Sequence, residues 1–167
     1  IPECTVLYPS DAVSAEECVK LAAETEGMFF IRTTRPDTPV IYSNDEIFEV
    51  GKAKVVRSDP EDQATVVGAG VTLFEALKAH ELLAGEGISI RVVDLFSVKP
   101  VDAEGLQQAA AETGGKVVTV EDHYPEGGIG EAVQSALAGT GVDVRKLAVR
   151  GVPRSGKSAL LMARFGI

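Results

Sequence analysis

Three stretches of the 167-residue sequence gather side chains able to do chemistry. The first runs Glu121-Asp122-His123-Tyr124-Pro125-Glu126-Gly127-Gly128-Ile129-Gly130. It joins an apolar run over 116–120 to a helical pattern beginning at Gly128. Ligands of open α/β sheets collect at such carboxyl ends of strands, and His123 has the side chain for acid or base work near neutral pH. The same stretch also reads as a structural loop whose glycines let a helix approach a sheet. The second is the loop Thr33 to Pro39, which follows a strand and holds Arg35 and two prolines. A guanidinium fork there suits a phosphate or carboxylate, or a surface salt bridge. The third, Gly151-Val152-Pro153-Arg154-Ser155-Gly156-Lys157-Ser158, satisfies G-x-x-x-x-G-K-[ST], the pattern of a phosphate-cradling loop. Three features oppose that reading. Such a loop ordinarily opens its domain, no acidic-ended strand follows this one to hold a cation, and Pro153 removes a backbone N–H donor.

Other candidates read more plainly. Gly68-Ala69-Gly70 begins a dinucleotide fingerprint, but Leu73 stands where the third glycine belongs, so a tight strand-to-helix turn is expected. His80 falls on a helical pattern as a surface or half-buried residue. Cys4 and Cys18, with no second pair, suggest neither a disulfide framework nor a zinc site, and reduced thiols are expected.

The elements that must position these residues follow from periodicity. Thr5 to Tyr8 is β-prone and stops at Pro9. Ser14-Ala15-Glu16-Glu17 has capping-box spacing, and Cys18, Leu21, Ala22 and Thr25 make one helical face ending at Gly27. Met28 to Arg32 is almost wholly apolar, as a buried parallel strand is. Lys54 to Val56, the turn Ser58-Asp59-Pro60 and Thr65 to Val67 make a hairpin-like pair, the expected place for an antiparallel strand. A helix follows Gly70, then a strand over 88–93, a helix from an Asp102 cap toward Glu112, a strand over 116–120, a helix over 128–138, a strand over 142–149 and a last helix from near Ser158. Such alternation gives an α/β fold: a three-layer open, mostly parallel sheet with one antiparallel strand.

Composition narrows the function classes. Hydrophobic residues are 45% and charged residues 25%, a balance that excludes disorder. The net charge of -9 excludes a general nucleic-acid binder, which needs a basic face. No apolar run approaches a membrane span. The chain starts at Ile1 rather than Met, so a piece of a longer protein is expected.

Taken together, Tyr8-Pro9-Ser10-Asp11-Ala12-Val13, Phe30-Ile31-Arg32-Thr33-Thr34-Arg35-Pro36, Val67-Gly68-Ala69-Gly70-Val71-Thr72, Arg91 to Pro100, Val120 to Tyr124 with Glu126 to Val133, and Val152 to Lys157 occur in the order found in transketolases. The sequence resembles the shorter, animal-type branch along essentially its whole length. The resemblance implies a thiamine-diphosphate enzyme that moves a two-carbon ketol unit between sugar phosphates in the non-oxidative pentose phosphate pathway, as a cytoplasmic homodimer. It also implies a division into the end of a pyrimidine-binding domain (1–42), a linker (43–52) and a transketolase C-terminal domain (53–167). Arg35 matches the family's substrate-phosphate arginine, with Arg32 as its nearest rival.

The family's Gly-Asp-Gly stretch and following Asn, which hold Mg²⁺ (or Ca²⁺) and the diphosphate, have no counterpart here, and the only Asn is Asn44. No catalytic, cofactor or metal residue is therefore expected in this chain, which alone should be inactive. Its partners should be the upstream domains, the second subunit and sugar phosphates, with neither nucleic acid nor membrane. Two alternatives stand beside this reading: a non-catalytic α/β regulatory or assembly module, and a nucleotide binder using 151–158.

Overall fold

The computed structural model describes residues 1–167 as two β-sheets with their connecting helices. β1 (Cys4–Leu7), α1 (Ala12–Glu24) and β2 (Met28–Ile31) come first. Then follow β3 (Lys54–Arg57), β4 (Thr65–Gly68), α2 (Val71–Ala84), β5 (Arg91–Asp94) and β6 (Ser97–Lys99). The chain ends with α3 (Ala103–Glu112), β7 (Lys116–Val120), α4 (Ile129–Ala136), β8 (Asp143–Leu147) and α5 (Ser158–Phe165). The larger sheet has the order β3-β5-β4-β7-β8, the smaller β2-β1-β6.

Central strands of the larger sheet are apolar on both faces because both faces are covered. On one face Val67, Val93 and Val117 pack with Leu106 and Ala110 of α3 and Val133 of α4. On the other, Val66 and Val92 pack with Leu73 and Ala76 of α2. This gives the expected three layers. β4 pairs parallel with β5 and β7, and β7 with β8. β3 is antiparallel, but its partner is β5 rather than its expected hairpin neighbour β4. The Ser58-Asp59-Pro60 turn therefore opens a crossover, not a hairpin.

The smaller sheet depends on a strand that the sequence pattern hides. β6 pairs antiparallel with β1, so residues 97–99 complete a sheet begun 90 residues earlier. Leu7, Cys18, Phe48 and Phe96 form the core under α1, with Leu7, Cys18 and Phe96 fully buried. Burial pushes the Cys18 thiol up to about 12, so it stays protonated as an inert apolar contact. β2 departs from expectation. It is an edge strand, paired only with β1, whose Met28 and Phe30 face solvent while Phe29 and Ile31 face α1. An apolar strand here therefore does not imply burial on both faces.

Helix α1 also begins earlier than expected. Asp11, not Ser14, is its N-cap: Asp11 Oδ1 accepts from Ser14 N–H at 2.8 Å and Ser14 Oγ accepts from Asp11 N–H at 2.9 Å. The choice follows from the other oxygen. Asp11 Oδ2 accepts from the backbone N–H of Ile41 and Tyr42 at 2.9 and 3.0 Å, satisfying two donors that a cap at Ser14 leaves unpaired. Asp102 caps α3 as expected, accepting from Gly105 N–H.

Asp94 closes β5 at the seam between the sheets and is wholly buried. Ser10 Oγ donates to Oδ1 at 2.9 Å and Tyr42 Oη to Oδ2 at 2.7 Å. Burial outweighs these donors and pushes its carboxyl up to about 7. A folded pKa above the unfolded value means stability present below pH ~4 and lost as pH rises through about 7. Denaturant titrations at pH 5 and pH 8 should therefore show the wild type losing about 3 kcal/mol more than Asp94→Asn over that interval. Equal pH dependence in the two proteins would remove Asp94 as the cause.

Candidate functional site

Where β2 ends, the chain turns into the loop 33–39, and that loop forms one wall of a cleft of about 860 Å³. The cleft's floor and far wall come from α2 and α5, through Phe74, Leu77, Met162 and Phe165. Arg32, Arg35, Arg57 and Lys78 also line it. A smaller hollow of about 270 Å³ lies beside it, bounded by Thr72, Glu121, His123 and Gly128. Tyr8, Arg32 and Asp122 line both spaces.

Those three residues form one unit. Arg32 follows β2, where its backbone N–H is fixed on Leu7 O at 2.8 Å. Its guanidinium donates to both oxygens of Asp122, at 2.9 Å to Oδ1 and 2.8 Å to Oδ2. Tyr8 Oη donates to Asp122 Oδ2 at 3.1 Å, and Arg32 stacks 4.4 Å from the Tyr8 ring centre. Burial and the neighbouring Asp122 carboxylate hold the Tyr8 hydroxyl far above its ordinary range, so it remains a donor. The Tyr8 ring in turn fills the turn after β4. A Cβ at Gly70 would stand 2.1 Å from that ring, and Gly70 has φ +55°. Gly68-Ala69-Gly70 is therefore a close-packed turn that accommodates a tyrosine.

Arg35 stands apart from this unit. It is exposed at the mouth of the larger cleft and makes no salt bridge or side-chain hydrogen bond. Arg32, its rival, is already engaged by a carboxylate. The structure thus brings Arg35 and Asp122 to one cleft but leaves His123 outside it. His123 is exposed in the smaller hollow, with Nδ1 2.9 Å from Tyr124 O.

Glu121 has a different part from the rest of its loop. It is buried below the N-terminus of α4, where burial raises its carboxyl pKa and the N–H groups of Gly130 and Ile129 partly offset that rise. Neither oxygen completes a well-aligned hydrogen bond. A Cβ at Gly128 would lie 1.8 Å from Oε2, so the glycines of this loop admit the glutamate under the helix. Asp122 carries the site's geometry, although its neighbour His123 has the more conspicuous chemistry. Its partners lie 90 and 114 residues away, beyond any local pattern. The 151–157 loop is exposed throughout, with Lys157 at the N-cap of α5 and no side-chain cap. Pro153 and Ser158 reach the larger cleft.

No group of three or more His, Cys, Asp and Glu side chains is placed to hold a metal ion. No helix is long and apolar enough to cross a membrane.

Comparison with known proteins gives this arrangement its family. Residues 51–167 match the family model for the transketolase C-terminal domain. Over 168 aligned positions the chain is 60% identical to transketolase-like protein 2 of Mus musculus and 56% identical to transketolase of Homo sapiens. Each alignment covers 100% of this chain and 27% of the relative, so the chain spans about a quarter of the length of these proteins. A solved structure, a split-gene transketolase in an inactive β4 tetramer, superposes with TM-score 0.90 at 38% identity, over 99% of this chain and 53% of that one. Transketolase from Leishmania mexicana shares the fold at TM-score 0.73 and 21% identity, over 99% of this chain and 23% of that one. The chain belongs to the transketolase family and corresponds to its C-terminal region.

The exposed 151–158 loop generates a direct expectation. Calorimetric titration with ATP and GTP should give no measurable heat for the wild type or for Lys157→Ala. Saturable binding abolished by Lys157→Ala would make the loop a nucleotide site.

Proposed function

We propose that this member of the transketolase family works as the C-terminal part of an enzyme that transfers a two-carbon ketol unit between sugar phosphates, and that Arg35 binds the substrate's phosphate. One observation carries the assignment of Arg35. It is the guanidinium of the 32–35 loop that faces the cleft without a carboxylate, whereas Arg32 is paired with Asp122. An unpaired fork on a preformed loop gives two parallel N–H donors to a phosphate at little cost in reorganisation.

The reaction needs thiamine diphosphate with Mg²⁺ or Ca²⁺, which supplies carbanion chemistry when bound. The three carboxylates nearest the seam do not fit that group. Asp94 is sealed between Ser10 and Tyr42, Asp122 is held by Arg32 and Tyr8, and Glu121 lies encased beneath α4. A Mg²⁺-diphosphate site needs accessible hard oxygen ligands. We assign the cofactor to upstream diphosphate- and pyrimidine-binding domains, and take residues 1–42 as the end of the latter, 43–52 as linker and 53–167 as the C-terminal domain. On this reading the chain alone is inactive, and the intact enzyme is a cytoplasmic homodimer of the pentose phosphate pathway. In that setting Arg35 orients the ketose or aldose through its terminal phosphate, and the 32–35 loop fixes how far the sugar reaches.

Kinetics of the intact enzyme check the role of Arg35. Arg35→Ala should lower kcat/KM for phosphorylated sugars roughly ten- to a hundredfold, the equivalent of a charge-assisted contact of about 1.5–3 kcal/mol. A short unphosphorylated ketol donor should be nearly unaffected. Arg35→Lys should recover only part of the loss, because it restores charge without the planar fork. An equal loss on both donors would give Arg35 a structural role and favour a non-catalytic assembly module for this region.

A further inference from the structure

We infer that Asp122 is a positioning residue for substrate phosphate, acting through Arg32 on the loop that carries Arg35. The inference rests on the reading of Arg35 given above.

The geometry has three parts. Asp122 stands on the loop after β7, in the larger sheet's half of the molecule, and Arg32 stands at the end of β2 in the smaller sheet. The two-pronged contact, at 2.9 and 2.8 Å, joins those halves at the wall of the cleft. Arg35 follows Arg32 by three residues, so the clamp fixes the last anchored point before it. From Thr33 to Pro39 no backbone N–H or C=O enters a strand ladder, and the loop's one side-chain hydrogen bond, Thr34 Oγ1 to Pro36 O at 3.4 Å, is internal. The loop is next anchored only at Ile41 and Tyr42, on Asp11, so Arg32, three residues away, is the anchor nearest Arg35.

The clamp also settles which cation is offered to the ligand. Arg32 lines the same cleft as Arg35. Paired with Asp122 and laid on the Tyr8 ring, it has its fork occupied, and of the two arginines at this loop Arg35 is left to take an anion. Asp122 itself is held from two sides. Tyr8 Oη donates to it, and the backbone beyond it is pinned where Val149 N–H donates to His123 O at 2.9 Å. The carboxylate is thus held by contacts other than the one to Arg32.

A purely structural ion pair would affect all substrates alike, so the test is a substrate-resolved cycle on the intact enzyme. Asp122→Asn, Arg35→Ala and the double variant are compared on a phosphorylated ketose and an unphosphorylated ketol donor. Asp122→Asn should raise KM for the phosphorylated donor about five- to tenfold, leave kcat within about twofold, and spare the unphosphorylated donor. The double variant should be no worse than Arg35→Ala alone, because the two residues act in series. Asp122→Glu, which keeps a carboxylate, should restore part of the loss. Arg32→Lys keeps the charge but loses the fork, and should reproduce the selective rise in KM; it carries the test if Asp122→Asn does not fold. Losses that are equal on the two donors, or that add to those of Arg35→Ala, overturn this inference. If Arg35→Ala itself shows no preference for phosphorylated donors, the reading of Arg35 fails first, and this inference fails with it.

Discussion

The bidentate contact between the Arg32 guanidinium and the Asp122 carboxylate is the constraint from which the shape of the site follows. It lies where a two-strand unit contributed by residues 1–42 meets a sheet contributed by residues 53–147. Both side chains are about a third exposed, at 36% and 26%. An ion pair that exposed contributes little to stability, on the order of 0–1 kcal/mol. Its importance is geometric: two parallel hydrogen bonds and a stacked tyrosine leave the end of β2 one orientation. The loop that follows then presents Arg35 to the cleft.

Stability of the same junction comes from elsewhere. Leu7, Phe96 and Tyr8 are each 3% exposed or less, and each belongs to a core that spans the seam. Fully burying such side chains is worth roughly 1.5–3 kcal/mol apiece. β6 supplies the backbone link, because it leaves the larger sheet after Asp94 and pairs with β1. Polar contacts then select the register. Asp94 takes donors from Ser10 and Tyr42, Ser10 Oγ accepts from Gly70 N–H, and Asp11 Oδ2 takes the N–H groups of Ile41 and Tyr42. Apolar burial alone would tolerate a sliding interface; these directional contacts do not.

Much of this was legible in the sequence, and the remainder was hidden for identifiable reasons. Alternating apolar runs and helical faces give the three layers, and Asp102 marks the start of α3. Gly70 was legible as a turn, but not as the seat of Tyr8, since that contact crosses 62 residues of sequence. β6 has three residues before a proline, too few to show a period. The N-cap of α1 is ambiguous in the sequence because Asp11 and Ser14 both open a box with the same spacing, and the two N–H groups that decide between them belong to residues 41 and 42. Arg35 stood out by its Pro-flanked loop. Asp122 did not, because a carboxylate beside a histidine draws attention to the histidine, and only the fold shows which of them faces Arg32.

The claim that the Arg32–Asp122 clamp fixes the end of β2 in one orientation is tested most directly by native-state hydrogen exchange on the 167-residue chain. Amides of 28–32, at an edge strand anchored through Arg32, should exchange faster than those of 116–120, which lie between two paired strands. In Asp122→Asn the 28–32 amides should speed up further while 116–120 keep their protection. Equal, high protection of both segments in a demonstrated monomer, unchanged by the substitution, would contradict the account.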